Sequence, residues 1–357
     1  MHNLITIDGS QGEGGGQMVR SSLALSAVTG VPVEIVNIRA RRPRPGLARQ
    51  HLTAARAAAR VCNGRLEGDA PGSRRVLLEP GPICGGHFDF RVGSAGSAML
   101  VLQTVLPPLM LAAEPSTVEL EGGTHNPMAP PYDFLQRCYL RQLHRVGPRV
   151  TLQLHRAGFY PAGGGQVTAK VQPVESGCGR EGLSLMERGR RTGRQLTAVV
   201  ANLPGNIARR ELDVARRKLG WSEADCRQQT VASAGPGNVV WAELAYEHTT
   251  QVFTAFGEKG VPAEQVVSRL VRVIRKWMKH DAPVGPCLAD QLLLPLALAA
   301  HRGDIGRLTG EPRESRFRTT PLTQHSLTHC EILQTFLNVR IDVRENGETC
   351  EVIVRPD

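Results

Sequence analysis

The sequence predicts an α/β protein in which a large domain built from several similar α/β units is interrupted by a smaller α/β domain. Three observations predict it. The segments "GEGGGQMVRSSLALSAVTGVPVEIV", "GSAGSAMLVLQTVLPPLMLAAEPSTVELEGG" and "LADQLLLPLALAAHRGDIGRLTG" share one order: small residues, an apolar helix, then a strand. Each carries a glutamine (Gln17, Gln103, Gln291) in or near its helix. Between residues 184 and 280 the texture changes to two amphipathic helical patterns around a hairpin pattern. Finally, 357 residues are enough for two domains or for one large domain with an insert. The expected division is 1–183 with 281–357 for the large domain and 184–280 for the insert.

The first element is the apolar run Leu4–Ile7, a strand, followed by "GSQGEGGGQMVRSSLALS" over residues 9–26. Strand, glycines and helix in that order offer a helix N-terminus to an anion. Neither familiar spelling fits: a Walker loop needs a lysine, and a dinucleotide fingerprint begun at Gly12 meets Gln17 where its third glycine belongs. A helix starting near Glu13 puts Glu13, Gln17 and Arg20 on one face at i, i+4 and i+7. A carboxylate, an amide and a guanidinium there suit a metal-bound polyphosphate; they equally suit an exposed polar face with a surface salt bridge. Next, "IRARRPRPGLARQH" (Ile38 to His51) carries five arginines, at 39, 41, 42, 44 and 49, and no lysine. Arginine favours bidentate phosphate contacts, and Pro43 and Pro45 stiffen this loop ahead of an alanine-rich helix.

"GGTHNPMAPPYDF" (122–134) and "RAGFYPAGGG" (156–165) read as loops by composition. A Gly- and Arg-rich stretch at 174–194 makes a boundary loop before the insert. Within the insert, Ala208, Leu212, Ala215 and Leu219 have helical spacing over 206–219, with Gly220 as the stop. "VVWAELAY" and "QVFTAF" form a hairpin around "EHTT". Pro262 opens a helix with Val266, Leu270, Ile274 and Trp277 in one stripe. In the C-terminal third, His325 and His329 stand at i, i+4 in "TQHSLTHCEIL", with no zinc-protease Glu after His325. A histidine activated and oriented by Asp290 is the nucleophilic reading; an ordinary structural histidine is the other.

Composition narrows the class. The net charge of +10, from 43 basic and 33 acidic residues, is compatible with a polyanionic partner and with a merely basic surface. Aromatic residues at 4% argue against a broad base-stacking platform. Eight cysteines without a Cys-x-x-Cys pair match neither a zinc site nor a disulfide framework. The longest apolar stretch, Ala98–Ala113, is broken by Gln103 and two prolines, so no membrane association is expected. Without a visible export signal, a cytoplasmic location is expected.

Taken together, "DGSQGEGGGQMVRSSLALS", "IRARRPRPGLARQHLTA", "GSAGSAMLVLQTVLP", "GGTHNPMAPPYDF", "GFYPAGGG", "LADQLLLPLALA" and "HSLTHCEIL" resemble the RNA 3′-terminal phosphate cyclases nearly end to end. The resemblance implies three repeats, each a four-stranded sheet backed by two helices, as in enolpyruvyl transferases, plus a small inserted domain. It implies ATP-dependent conversion of an RNA 3′-phosphate end to a 2′,3′-cyclic phosphate with a divalent metal, Mg2+ or Mn2+. The route runs through a covalent histidine–AMP and releases AMP and diphosphate. By the same resemblance His325 is the nucleophile and Asp290 orients it, and Glu13 holds the metal. Gln17, Arg20, Arg39, Arg42 and Gln50 bind phosphate. Gln103, Pro130 and the run Cys287, Leu288, Ala289, Asp290, Gln291 form the ATP pocket. Cys287 stands where the family often has an aromatic residue, and His329 where asparagine is common.

The reading requires the fold to bring Glu13 and His325 to opposite sides of one pocket. It leaves the oligomeric state open between monomer and homodimer. An inactive cyclase-like scaffold of ribosome assembly would be expected to lose His325 and the phosphate-binding residues, which are all present here. An enolpyruvyl transferase follows from fold kinship alone.

Overall fold

Three times along the chain the same path, βαβαββ, closes into a four-stranded sheet. The computed structural model describes residues 4–175, 182–303, 305, 308 and 311–357. The first unit comprises β1 (Ile5–Asp8), α1 (Gly16–Thr29), β2 (Val33–Val36), α2 (Arg49–Val61), β3 (Arg65–Glu67) and β4 (Val76–Glu79). β1 and β2 are parallel, and β4 lies antiparallel between β2 and β3. The second unit repeats this order with β5 (Gly86–Arg91), α3 (Ala98–Met110) and β6 (Ser116–Gly122). A helical segment follows, from α4 (Tyr132–Phe134) through a π turn (Leu135–Tyr139) to α5 (Leu140–Leu143), then β7 (Arg149–Arg156) and β8 (Gly165–Gln172). Tyr132–Phe134, expected as loop, is therefore helical: Pro131 caps it, and proline suits a helix entrance because it has no N–H to leave unpaired.

The third unit opens with β9 (Ser184–Leu185) and is then interrupted. The interruption consists of β10 (Arg191–Ala201), α6 (Asn206–Leu219), β11 (Cys226–Thr230), β12 (Gly237–Tyr246), β13 (Thr250–Phe256) and α7 (Ala263–Met278). The unit resumes with α8 (Pro286–Ala300), β14 (Ser315–Thr319), α9 (Gln324–Phe336), β15 (Val339–Asn346) and β16 (Thr349–Pro356). Ser184 and Leu185, at the expected edge of the insert, pair in parallel with Arg316 and Phe317 of β14. The inserted elements thus occupy the crossover between the first strand of the unit and its first helix. Of the expected boundary loop, residues 176–181 lie outside the described residues, as do several positions of the strand expected near 303–310.

The inserted sheet, in order β11-β10-β12-β13, is covered on both faces. Leu196, Ala198, Val240 and Ala242 pack against the stripes of α6 and α7, including Leu212, Leu270, Ile274 and Trp277. The alternate residues Val199, Val239, Trp241 and Val252 join the main core instead. Burial on both faces explains the near-continuous apolar run of β10 and β12, since alternation survives only where one face is wet. Gly220, at φ 67°, closes α6 in a left-handed cap. Among the repeated units α1 packs on α2, α3 and α9, and α8 packs on α9. Those contacts bring the starts of α1, α8 and α9 to one place.

Candidate active site

Gln17, Cys287 and His325 are each the second residue of their helix, in α1, α8 and α9, and all three line one pocket of about 650 Å³. Helix N-termini leave N–H groups without intrahelical acceptors and carry partial positive charge, so their convergence favours an anion. Arg20, Asp290, Gln103, Gln291 and His329 complete the polar end. The other end is apolar: Pro127 to Pro131 from the loop after β6, Phe253 and Phe256 from β13, and Val273 from α7. The pocket therefore has one wall from the repeated units and one from the inserted elements β13 and α7.

His325 Nδ1 donates to Asp290 Oδ1 at 2.9 Å, and its Nε2 lies 3.6 Å from Glu13 Oε2. Asp290 is buried, which by itself penalises ionisation. The hydrogen bond from His325 and the closeness of both imidazoles, His325 and His329, outweigh burial and hold its carboxyl well below the usual carboxylate range. Gln17 Nε2 at 2.9 Å and Ser326 Oγ at 3.4 Å also donate to Oδ1, and Gln291 Nε2 donates to Oδ2 at 3.1 Å. For His325 burial acts downward, but Asp290 and Glu13 win and raise its pKa above the ordinary value. His329 is buried, with Nε2 3.1 Å from Ser21 Oγ and Nδ1 3.7 Å from Asp290 Oδ1. Gln103 Nε2 donates to Gln291 Oε1, joining α3 to α8.

Behind this end lies a second cluster. Arg42 Nη2 donates to Glu13 Oε1 at 2.7 Å. Burial lowers Arg20 to about 10 against the pull of Asp290 and Glu13, which leaves it charged at neutral pH. His51, buried beside Arg20 and Arg39, is pushed down to about 3 by burial and by those cations, and is neutral. Arg39 Nη1 donates to the Gly46 carbonyl at 2.8 Å, and Gln50 Oε1 accepts the Ser97 N–H at 2.9 Å, beside the start of α3. Two glycines are required by contact. Gly12 has φ 52° and its Cβ position is filled by the Thr328 hydroxyl; the Cβ position of Gly16 is filled by the His51 ring.

The structure changes several expectations. α1 begins at Gly16, not near Glu13, because Gly12 and Gly14 take left-handed φ values and hold the chain in a loop. Glu13 therefore approaches from that loop, not from a shared helical face, and its N–H donates to Thr328 Oγ1 at 3.3 Å. Glu13 and His325 are in contact across 3.6 Å, not on opposite sides of the pocket. Leu288 and Ala289 are fully buried in the core: the helical period that turns Cys287, Asp290 and Gln291 to the pocket turns these two away. Arg39, Arg42 and Gln50 lie outside the pocket lining, in the cluster behind Glu13. Gln17, Arg20, Gln103, Pro130, Cys287, Asp290, Gln291 and His325 are together, as expected.

Sequence reasoning missed His51, Ser21, Thr328 and the wall residues Phe253 and Phe256. His51 follows Gln50 in the arginine loop, and Thr328 stands three residues after His325, so both had a positional signal. The two phenylalanines had none, because in a hairpin they read as core.

The profile of the RNA 3′-terminal phosphate cyclase family matches residues 11–343. An RNA 3′-terminal phosphate cyclase of Pseudomonas fluorescens is 45% identical, over 97% of this chain and 96% of its own length. Proteins of that name from Koribacter versatilis and Ralstonia nicotianae are each 44% identical, over 98% of this chain and 94% and 96% of their own.

Proposed function

Because the chain belongs to the RNA 3′-terminal phosphate cyclase family, we propose that it uses ATP to convert an RNA 3′-phosphate end to a 2′,3′-cyclic phosphate through a histidine–AMP on His325. His325 Nε2 attacks the α-phosphorus of ATP and diphosphate leaves. The AMP passes to an oxygen of the RNA 3′-phosphate, freeing the imidazole. The vicinal 2′-OH then attacks that phosphorus, losing its proton and expelling AMP. Adenylylation replaces a poor leaving group with AMP, which a weak hydroxyl nucleophile needs.

One observation carries the reading: His325 is held through Nδ1 by Asp290, so Nε2 is the ring nitrogen left for chemistry, at the polar end of a nucleotide-sized pocket. The apolar end suits the adenine, between Pro130 and Phe253. Gln17, Arg20 and the three helix starts suit the phosphates, where positioning and charge neutralisation supply most of the catalysis. Arg39 and Arg42, on the far side of Glu13, suit the RNA phosphate.

Among the described residues no cluster of three or more ligating side chains exists. One carboxylate, Glu13, beside a phosphate site fits Mg2+ or Mn2+, which commonly take one or two carboxylates and complete their shell with phosphate oxygens and water. Bound there, the cation would neutralise phosphate charge. No described helix is long and apolar enough to cross a membrane. Incubation with ATP and a 3′-phosphorylated oligoribonucleotide should give ends resistant to phosphatase. Ends that remain phosphatase-sensitive, with ATP intact, would contradict the proposal and favour a scaffold.

A further inference from the structure

The +10 charge of the chain is unevenly placed. α6, α7 and the adjoining Lys279 carry ten lysines and arginines against three acidic residues, of which Glu211 is buried. Glu264 is taken by Arg210, and Asp213 lies 3.5 Å from Arg216. On α7, Arg272, Lys276 and Lys279 are exposed at i, i+4 and i+7 and so form one stripe along the helix. Among the described residues no carboxylate lies within ion-pair distance of these three, nor of Arg209 or Arg217 on α6. Lys218 Nζ donates to Ser268 Oγ at 2.7 Å and Arg275 donates to the Lys218 carbonyl, so the two helices are tied side by side.

From this juxtaposition we infer that the outer face of α6 and α7 is a docking surface for the phosphodiester backbone of RNA, engaging nucleotides upstream of the reacting 3′ end. Its position selects the partner. Val273, between these cations on α7, is half exposed and lines the pocket, so the stripe begins at the pocket rim. A polyanion with its end in the active site and its chain on this stripe would be held at two places, the contact at the rim being independent of sequence. Scarce aromatic residues agree with backbone contact without base stacking. The choice of RNA over another polyanion rests on the proposed reaction.

The test uses the full chain with Arg272→Gln, Lys276→Gln and Lys279→Gln combined. A second variant, Arg209→Gln with Arg217→Gln, probes α6. Arg149→Gln with Lys170→Gln, on exposed positions of β7 and β8, is the control. Anisotropy with a labelled 20-nucleotide RNA ending in a 3′-hydroxyl reads docking without any reaction. The α7 variant should weaken binding ~10-fold, and its log–log salt slope should fall by about 2, at about 0.7 per lost single-strand contact. The α6 variant should show a smaller loss and the control none. Cyclisation of a 3′-phosphorylated trinucleotide, and formation of the protein–AMP adduct, should stay within twofold of the parent protein. Unchanged affinity and slope in both helix variants would overturn the proposal. So would an unchanged RNA affinity accompanied by lost binding to phosphatidylserine vesicles, which would make the face a membrane contact. Failure of the parent protein to form an adduct or cyclise RNA would count against the reaction alone, since the 3′-hydroxyl binding measurement does not pass through it.

Discussion

Two buried carboxylates in this molecule meet opposite fates. Asp290, on α8 at the polar end of the pocket, accepts from Gln17, His325, Ser326 and Gln291 and is held ionised. Glu211, on α6 in the insert, accepts from Asn238 Nδ2 at 2.9 Å on one oxygen, while its Oε1 has no partner; burial pushes it up to about 7. Burial is similar in the two, so the supply of donors decides the charge. The pocket is built to keep a negative charge under His325. The inserted elements tolerate a carboxyl that burial has pushed toward its neutral form.

The largest break in this contrast is Asp290→Asn. It removes the charge and turns one of the two acceptor oxygens into an NH2 donor among groups that all donate to it. His325 thereby loses its ionic partner, and adenylylation should slow ~10³-fold, within the range that positioned acid–base groups supply. Label transfer from ATP in a single turnover checks it, and an unchanged rate would separate Asp290 from the chemistry. Glu211→Gln should act in the opposite sense. Its folded pKa of about 7 exceeds the ordinary 4.5, so the folded state binds more protons between those values and stability falls as pH rises across that window. The substitution should flatten that slope and add up to about 3 kcal/mol above pH 7, seen in urea unfolding at pH 5 and pH 8.

A smaller effect sharpens the active-site half. The raised pKa of His325 means its Nε2 is protonated more readily than in a free histidine, so adenylylation should be acid-limited with a midpoint above the ordinary 6.5. Below that midpoint the rate should fall about tenfold per pH unit. A midpoint at or below 6.5 would show that Asp290 and Glu13 do not set the ring's charge. The smallest expected change is Thr323→Ala. Thr323 Oγ1 accepts the Ser326 N–H at 3.2 Å and caps the helix that carries His325. Its loss should cost about 1 kcal/mol of stability, measured by thermal unfolding, with adenylylation slowed more than that loss accounts for.

What could be read from the sequence follows the range of the interactions. α6 and α7 were legible to the residue or nearly so, because a local stripe and a local stop define them: Gly220 ends one helix and Pro262 precedes the other. β9 was not, since two residues have no periodicity and their pairing depends on Arg316 and Phe317. The start of α1 was misplaced by three residues because glycines at positive φ look like helix entrance and act as loop. In the site, Gln17, Arg20, Asp290 and His325 were found through their polar character within motifs. Leu288 and Ala289 were carried along by belonging to the same run, although helical geometry sends them to the core. The pocket's second wall, Phe253 and Phe256, depends on how β13 is seated against the repeated units, and no local pattern encodes that.

Asp290 approaches two histidines, His325 at 2.9 Å and His329 at 3.7 Å. His329 is buried against Ser21, whereas His325 is part-exposed at the pocket. The most direct measurement is the acid-labile protein–AMP adduct formed from α-labelled ATP by the parent protein, His325→Ala and His329→Ala. The expected result is no adduct with His325→Ala and a reduced but measurable adduct with His329→Ala. An undiminished adduct in His325→Ala, or one lost only in His329→Ala, would contradict the account.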